Sequence, residues 1–209
     1  MVPSRIAAVS TKFILAADSR FSDTMIKFKS DASGRVYRTG LFYHRQHPRY
    51  QTQIAFEADH LKAGMTIRRL ELAEMDAAAV VHRAAFDDRL PWLTGLHTPE
   101  QDRSYFRGQV SRICQIWGAF EDAALIGIVA FRGDWIDHLY VLPGEQRKGV
   151  GTALLEIAKS AFPRLHLWTF QRNIAARNFY EARGFIPVRQ TDGDNDENEP
   201  DILYLWSRS

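Results

Sequence analysis

A short turn at residues 146–152, with the sequence Gln-Arg-Lys-Gly-Val-Gly-Thr, constrains the fold of this chain more than any other segment. The apolar residues before it predict a strand, and those after it predict a helix. The first N–H groups of a helix have no partner within the helix, and with the helix dipole they attract anions. Gly149 and Gly151 would let a phosphate approach the backbone closely, and Arg147 and Lys148 add positive charge. The segment therefore predicts a phosphate-binding turn.

Two other phosphate-binding motifs do not fit this turn. It lacks the Gly-Lys-Ser/Thr sequence of a Walker loop, and it lacks the G-x-G-x-x-G spacing of a dinucleotide-binding turn. A tight strand-to-helix turn with basic surface residues would also explain the segment if it stood alone.

Hydrophobic periodicity after residue 64 predicts an α/β fold (an α+β mixed sheet) in which helices pack on the sheet. Thr98 is expected to cap a helix that begins at Pro99, and Gly184 is expected to end the last helix. The predicted strands are 66–70, 115–120, 123–131, 135–142, 165–169, 185–189 and 202–206. The predicted helices are 72–85, 99–112, 151–161 and 173–183, the first of them with Leu72, Met75, Ala79, Val80 and Ala84 on one face.

Residues 1–64 are expected to form a basic N-terminal extension ahead of a domain at 65–209. The extension holds 10 Lys/Arg and 5 Asp/Glu, a net charge of +5, whereas the rest holds 17 and 20, a net charge of −3. It has no sustained helical or strand period, so a disordered tail and a start site mis-assigned ahead of Met65 are two explanations. The interleaved Tyr43, Tyr50 and Phe56 are a weak signal for nucleic-acid binding, which we rank below a solvated tail.

Cysteine and histidine usage limits the other classes of site. Cys114 is the only cysteine, which excludes an internal disulfide and a multi-cysteine zinc site and agrees with a cytoplasmic protein. No apolar run approaches the roughly 20 residues of a membrane helix, so no membrane partner is expected. His44, His47 and His60 lack a compact ligand spacing, so no metal is expected either.

Two segments together resemble the GNAT superfamily of N-acetyltransferases. Residues 136–152 resemble its acetyl-CoA motif, Gln/Arg-x-x-Gly-x-Gly/Ala, which is matched by Gln146, Gly149 and Gly151. Residues 173–185 resemble its second motif, with Asn173, then Phe-Tyr-Glu ending at residue 181, then Gly-Phe at its end. The resemblance covers about 65–209. It implies a GNAT-like acyl-CoA N-acyltransferase fold, with a central mixed β-sheet and helices on both of its faces. In that fold the parallel strands 135–142 and 165–169 would splay apart around the acyl donor.

The resemblance also implies an acetyl-CoA cosubstrate and a set of residues that bind it. Backbone groups of three residues would pair with the pantetheine arm: Leu139, Tyr140 and Val141. Backbone amides of six residues would hold the pyrophosphate: Arg147, Lys148, Gly149, Val150, Gly151 and Thr152. Asn173 would bond the pantetheine end, and a pure helix cap is an equal alternative. Tyr180 would protonate the leaving thiolate, unless it is a buried aromatic with a structural partner.

The general base is less clearly indicated. Asp134, Asp137 and His138 are the candidates, and a water relay is a further one. Adjacent side chains of a strand face opposite sides, so only one of Asp137 and His138 should face the acyl group unless a bulge intervenes. The family often has a carboxylate upstream on this strand, which favours Asp137, although both residues could merely satisfy hydrogen bonds or face solvent.

The expected acceptor is a primary amine of a small molecule or peptide, and the sequence does not identify it. The acidic loop Asp192, Asp194, Asp196, Glu197 and Glu199 would attract a cationic amine, although a solvated loop is the preferred explanation. Trp92 and Phe106 could line a substrate pocket or could equally belong to the core. Cys114 is expected in a strand, as a buried apolar residue rather than a nucleophile. The remaining histidines have no motif support and are interpreted as structural or surface residues: His82, His97 and His166. A non-catalytic acyl-CoA sensor is the alternative function, and a homodimer would be compatible with the sequence.

Overall fold

The computed structural model of the protein describes residues 25–30, 36–39, 64–193 and 195–208. Within these ranges, nine strands form one sheet in the order β2-β1-β3-β4-β5-β6-β7-β9-β8. The strands are β1 Met25–Ser30, β2 Val36–Thr39, β3 Met65–Arg69, β4 Gln115–Glu121, β5 Ala124–Arg132, β6 Trp135–Val141, β7 Arg164–Phe170, β8 Ile186–Gln190 and β9 Asp201–Ser207.

Five α-helices accompany the sheet in the described ranges. They are α1 Met75–Arg89, α2 Pro99–Tyr105, α3 Ser111–Ile113, α4 Val150–Ala161 and α5 Ile174–Glu181. A π-helical segment, Phe106–Val110, joins α2 to α3. Thr98 caps α2 as predicted, because its side chain accepts a hydrogen bond from the Gln101 amide in a capping box. Gly184 adopts the left-handed φ of 81° expected of the residue that ends the last helix, although α5 itself ends at Glu181, two residues before the predicted end.

Helices cover both faces of the sheet, as predicted. One apolar cluster packs α4 and α5 against the sheet and includes Leu154 and Val129. A second cluster packs α1 and the π-helical segment against the other face and includes Phe106 and Ile128. Val129 and Ile128 are neighbours in β5, so the two-residue repeat of the strand supplies both cores.

The first helix differs from its predicted face. Leu72 lies in a 3-10 turn ahead of α1, and Leu72 and Val80 are 69% and 55% exposed. The buried face is instead Met75, Ala78, Ala79, Val81, Ala85 and Phe86. Alanines occur on several sides of this helix, so hydrophobic spacing alone did not identify the buried side.

Strands β1 and β2 were not predicted from the sequence. They form an antiparallel pair, and β1 also pairs with β3 at the start of the predicted domain. The predicted boundary at residue 65 stays a prediction. The aromatic and histidine residues of positions 43–60 lie outside the described residues. No helix in the described ranges is long and apolar enough to span a membrane.

The centre of the sheet opens between β6 and β7. These two strands are parallel, but their pairing is limited to Trp135 with His166. On its other edge β7 pairs with β9 along its whole length, from Arg164 to Phe170. β6 and β7 therefore separate toward their carboxyl ends, as the resemblance implied, and leave one edge of β6 without a neighbouring strand.

Candidate active site

The predicted phosphate-binding turn lies at the wide end of this opening. After β6, the Gln146 side-chain amide donates to the Val141 carbonyl oxygen at 3.0 Å and anchors the turn. Gly149 is the N-cap of α4 with a φ of 83°, a conformation that favours glycine. The Ala153 amide donates to the Gly149 carbonyl oxygen at 3.0 Å, as the first bond of the helix. The earlier amides of α4 have no partner in the helix, so they form an anion site.

Three elements converge on Gly151 in the first turn of α4. A Cβ at this position would lie 3.4 Å from ring carbons of Phe179 and 3.6 Å from Val141. Phe179 belongs to α5, and Val141 ends β6. These are ordinary van der Waals distances, so the first turn of α4 packs directly against α5 and the end of β6.

Two residues of the second motif occupy α5 and its cap. The Asn173 side-chain oxygen accepts a bond from the Ala176 amide at 3.1 Å, so the residue caps α5 as predicted. Tyr180 is 8% exposed, and its hydroxyl has no hydrogen-bond partner among the described residues. Burial raises the pKa of Tyr180, so its hydroxyl holds a proton at neutral pH. The hydroxyl oxygen is not among the fully buried polar atoms of the described residues that lack a partner, so it is accessible and free to bond a ligand atom.

A β-bulge decides how the candidate bases are oriented. Ala130 pairs with His138 and Phe131 with Ile136, so Asp137 is the extra residue of β6. The Cys114 thiol donates to the Asp137 carboxylate at 3.5 Å, and Cys114 belongs to the α1-side cluster. His138 contacts Phe106 of the same cluster. Asp137 and His138 therefore share one side of the sheet.

Asp137 has one cationic partner in addition to the thiol. The Arg132 Nε atom donates to both carboxylate oxygens at 3.1 Å. Burial raises the pKa of Asp137, and Arg132 opposes that shift. A carboxylate with a raised pKa is a better proton acceptor than an ordinary one.

His138 and Asp134 have less suitable surroundings for a base. His138 lies 3.3 Å from the Tyr105 hydroxyl through Nε2, and burial lowers its pKa to about 3. Asp134 contacts His166 Nδ1 at 3.3 Å. Its carbonyl oxygen accepts a bond from the His166 amide, so Asp134 lies at the closed end of the opening.

The acidic loop is more ordered than the preferred interpretation assumed. Asp192 and Asp196 are exposed, but Glu197 and Glu199 are partly buried. Glu199 pairs with Arg172 at 3.3 Å, and the Arg172 guanidinium lies 4.1 Å from the Trp92 ring centroid. These contacts join the loop to the segment between α1 and α2. Asp194 lies outside the described residues.

The remaining histidines and aromatics take structural or surface positions. Phe106 is fully buried, so it belongs to the core rather than to a pocket. His82 packs edge-on against Tyr140 with ring centroids 4.7 Å apart, and His97 is exposed. Cys114 is buried, and burial raises the pKa of its thiol, which disfavours a nucleophile. It precedes β4 rather than lying in a strand.

Sequence reasoning missed two side chains that complete the site. Tyr105 contacts His138 from α2, and only its place in the loop-rich region 86–106 could have indicated it. Arg183 bonds Thr152 in the first turn of α4, although it lies in a variable position of the second motif. Among the described residues, no group of three or more His, Cys, Asp or Glu side chains could hold a metal ion.

Comparisons with known proteins agree with this architecture. Residues 112–187 match the family described as acetyltransferase (GNAT) domain. The peptidyl-lysine N-acetyltransferase YiaC of Escherichia coli (strain K12) is 38% identical over 72 residues, which cover 34% of this chain and 49% of YiaC. The chain thus spans about half the length of this curated relative.

Solved structures match over a longer part of the chain. The apo form of YjaB from Escherichia coli has a TM-score of 0.60 at 22% identity, covering 69% of this chain and 99% of that one. The PaiA N-acetyltransferase of Thermoplasma acidophilum, in complex with coenzyme A, has a TM-score of 0.51 at 22% identity, covering 68% and 98%. At these identities the likeness establishes the fold.

Proposed function

This chain belongs to the GNAT superfamily of acetyltransferases, and we propose that it is an acetyl-CoA-dependent N-acetyltransferase that acts on a primary amine by direct transfer. The observation that carries the proposal is the opening between β6 and β7, which has an anion-binding turn at its wide end and the unpartnered Tyr180 hydroxyl beside it. The two features match two parts of an acyl-CoA, its pyrophosphate and its thioester.

The chain has donors and acceptors suited to the cofactor along the whole opening. The free amides of Val150, Gly151 and Thr152 would bind the pyrophosphate, with Arg147 and Lys148 nearby. The edge of β6 that faces away from β5, at 139–141, would bond the pantetheine amides as a neighbouring strand would. Asn173 uses its oxygen for the cap, which leaves its NH₂ group to donate to the pantetheine.

Acetyl-CoA, when bound, supplies a thioester that an unprotonated amine can attack. A free amine with a pKa near ~10 is mostly protonated at neutral pH, so a base must remove a proton. Asp137 takes that role here, because burial raises its pKa and the bulge turns it toward the α1 side. Tyr180 holds the proton that the leaving thiolate requires. The backbone N–H near Val141 would stabilise the oxyanion.

A cationic acceptor fits the acidic loop. Burial raises the pKa of the Glu197 carboxyl, and the carboxyl also acts electrostatically on Tyr105 and Tyr140. Glu197 is thus the carboxylate of this loop that we propose meets a cationic acceptor. YiaC is named for action on peptidyl-lysine. We propose that the acceptor is a cationic amine of a small molecule or a peptide, and that the protein acts in the cytoplasm.

Titration of acetyl-CoA into the full-length protein, followed by thiol release with a panel of amines and lysine peptides, tests the proposal. Binding in the micromolar range with amine-dependent thiol release is the expected result. Binding without release from any amine would favour the non-catalytic acyl-CoA sensor. No binding would refute the role of the turn at 146–152.

The acceptor class is tested separately by Glu197→Gln. The variant should raise KM for a cationic amine several-fold while leaving the Kd of acetyl-CoA unchanged. Asp196→Asn, which removes an exposed charge from the same loop, is the matched control. Equal KM values for both variants and the native protein would contradict a cationic acceptor held by Glu197.

A further inference from the structure

Arg183 presents a guanidinium beside the first turn of α4. Its Nε and Nη2 atoms donate to the Thr152 hydroxyl oxygen at 3.1 and 2.7 Å. Thr152 is the third residue of α4, so the guanidinium lies next to the amides that have no helical partner. Arg183 follows α5, and α4 and α5 thereby supply cationic and N–H donors to one place.

This arginine is held in a fixed position. Its Nη1 atom donates to the Phe179 carbonyl oxygen at 2.8 Å, and its guanidinium carbon lies 3.8 Å from the Phe179 ring centroid. The Arg183 carbonyl oxygen accepts a bond from the Lys159 ammonium at 2.9 Å. Little side-chain entropy would be lost on binding a ligand, because the rotamer is already fixed.

The charge of Arg183 is not neutralised by the protein. No carboxylate in the described part of the chain lies within ion-pair distance of its guanidinium, and Glu156, one turn along α4, pairs with Lys159 instead. Burial lowers the pKa of Arg183, and the Glu156 carboxylate opposes that shift only in part. A partly buried cation of this kind gains most from an anionic ligand.

The hydrogen bonds at Thr152 also favour an anionic ligand. Its oxygen accepts from Arg183, and a guanidinium has no acceptor, so the Thr152 hydroxyl hydrogen must donate elsewhere. The guanidinium, the Thr152 hydroxyl and the unpartnered amides of α4 are therefore neighbours at the start of this helix. A phosphate, with several acceptor oxygens and negative charge, is the ligand chemistry that satisfies such a set.

We propose that Arg183, together with Thr152, binds a phosphate group of the acyl-CoA donor. The inference rests on the proposed function, since it assumes that acyl-CoA occupies the opening. Coenzyme A has two sources of this chemistry, the pyrophosphate and the 3′-phosphate of the ribose. Neither Arg183 nor its contact with Thr152 belongs to the glycine motif, so this is a separate determinant of donor affinity.

Isothermal titration of three ligands into the full-length protein tests the proposal. The ligands are coenzyme A, dephospho-coenzyme A, which lacks the 3′-phosphate, and pantetheine, which lacks every phosphate. Arg183→Gln should raise the Kd of coenzyme A about 10- to 100-fold. Arg183→Lys should raise this Kd less, because lysine keeps the positive charge but lacks the planar set of guanidinium donors. Arg112→Gln removes an exposed charge and is the matched control.

The three ligands separate the outcomes. An equal loss for coenzyme A and dephospho-coenzyme A, with pantetheine unaffected, assigns Arg183 to the pyrophosphate, and a loss confined to coenzyme A assigns it to the 3′-phosphate. An equal loss for all three ligands would mean a structural role and overturn the proposal, as would an unchanged Kd. If the native protein does not bind coenzyme A, the proposed function fails first, which distinguishes the two failures.

Discussion

Asp137 and His138 are adjacent in β6, yet both side chains face the side of the sheet that α1 covers. The bulge at Asp137 removes the alternation that a regular strand would impose. Asp137 meets Cys114 there, and His138 meets Tyr105. Environment therefore decides which of the two can act as the base. Asp137 keeps some access to solvent and has a raised pKa, whereas His138 is buried as a neutral imidazole.

Replacing Asp137 tests this distinction. Asp137→Asn should lower kcat/KM by about 10²- to 10⁴-fold, the usual contribution of a general base. A general base acts in its deprotonated form, so in the proposed mechanism the kcat/KM of the native protein should fall as the pH is lowered through the raised pKa of Asp137. The variant should lose that acidic limb. A pH–rate profile measured with one amine checks both points.

Asp134→Asn is the matched control for that experiment. Asp134 lies at the closed end of the opening beside His166, so its loss should leave the profile unchanged. If Asp137→Asn retains full activity and the acidic limb, a water relay is the better explanation of proton removal.

Local signals in the sequence were sufficient for most of the fold from β3 onward. The caps at Thr98 and Asn173 and the hairpin between β4 and β5 depend on neighbouring residues, so they could be predicted. The bulge at Asp137 depends on pairing with a different strand. Its side-chain direction therefore could not be predicted from alternation alone.

In the candidate site, too, the features with a local sequence signal were predicted and those that depend on long-range contacts were missed. The turn at 146–152 was predicted from its own residues and lies where α4 begins. Arg183 reaches that turn from a segment about 31 positions away in the sequence, and its contact with Thr152 requires α4 and α5 to pack side by side. Such a contact leaves no periodic or motif signal. The ion pair between Arg172 and Glu199 was missed for the same reason.

Removing the Tyr180 hydroxyl should affect turnover without affecting stability. Tyr180→Phe should lower kcat roughly 10²-fold or more, because the leaving thiolate loses its proton donor. The hydroxyl has no hydrogen-bond partner among the described residues, so no protein bond is lost. Thiol-release kinetics and the thermal unfolding midpoint measure the two effects. A variant with native kcat would show that the acid is another group.

Gly149 should be intolerant of a side chain for reasons of backbone conformation. Its φ of 83° costs an L-residue about 1–2 kcal/mol. Gly149→Ala should lower the free energy of unfolding by about that amount and weaken acetyl-CoA binding, since the turn would shift. Gly144→Ala is the control, because a Cβ there meets nothing within 4 Å and its φ is not left-handed. Equal effects of the two variants in urea unfolding and titration would contradict the role of Gly149.

Acid should destabilise the protein through the buried imidazoles. Burial lowers the pKa of His82 to about 4, below its ordinary value of 6.5. Below pH 6.5 the unfolded chain binds a proton at His82, whereas the folded protein does not bind it until about pH 4. The free energy of unfolding therefore decreases as the pH is lowered from 6.5 to about 4. Between pH 7 and 5 this amounts to about 1–2 kcal/mol for His82. His138 acts in the same direction, since burial lowers its pKa also.

Urea unfolding at pH 7 and pH 5 measures this dependence. His82→Leu should show a smaller loss of stability between the two pH values than the native protein, because the unfolded variant has one fewer proton to bind. His97→Leu changes an exposed histidine in the same way and should keep the native difference. If the native protein is equally stable at both pH values, the imidazoles beside Tyr140 are open to water. The side of β6 that faces α1 would then be hydrated, and it would not exclude water from the proposed acceptor site.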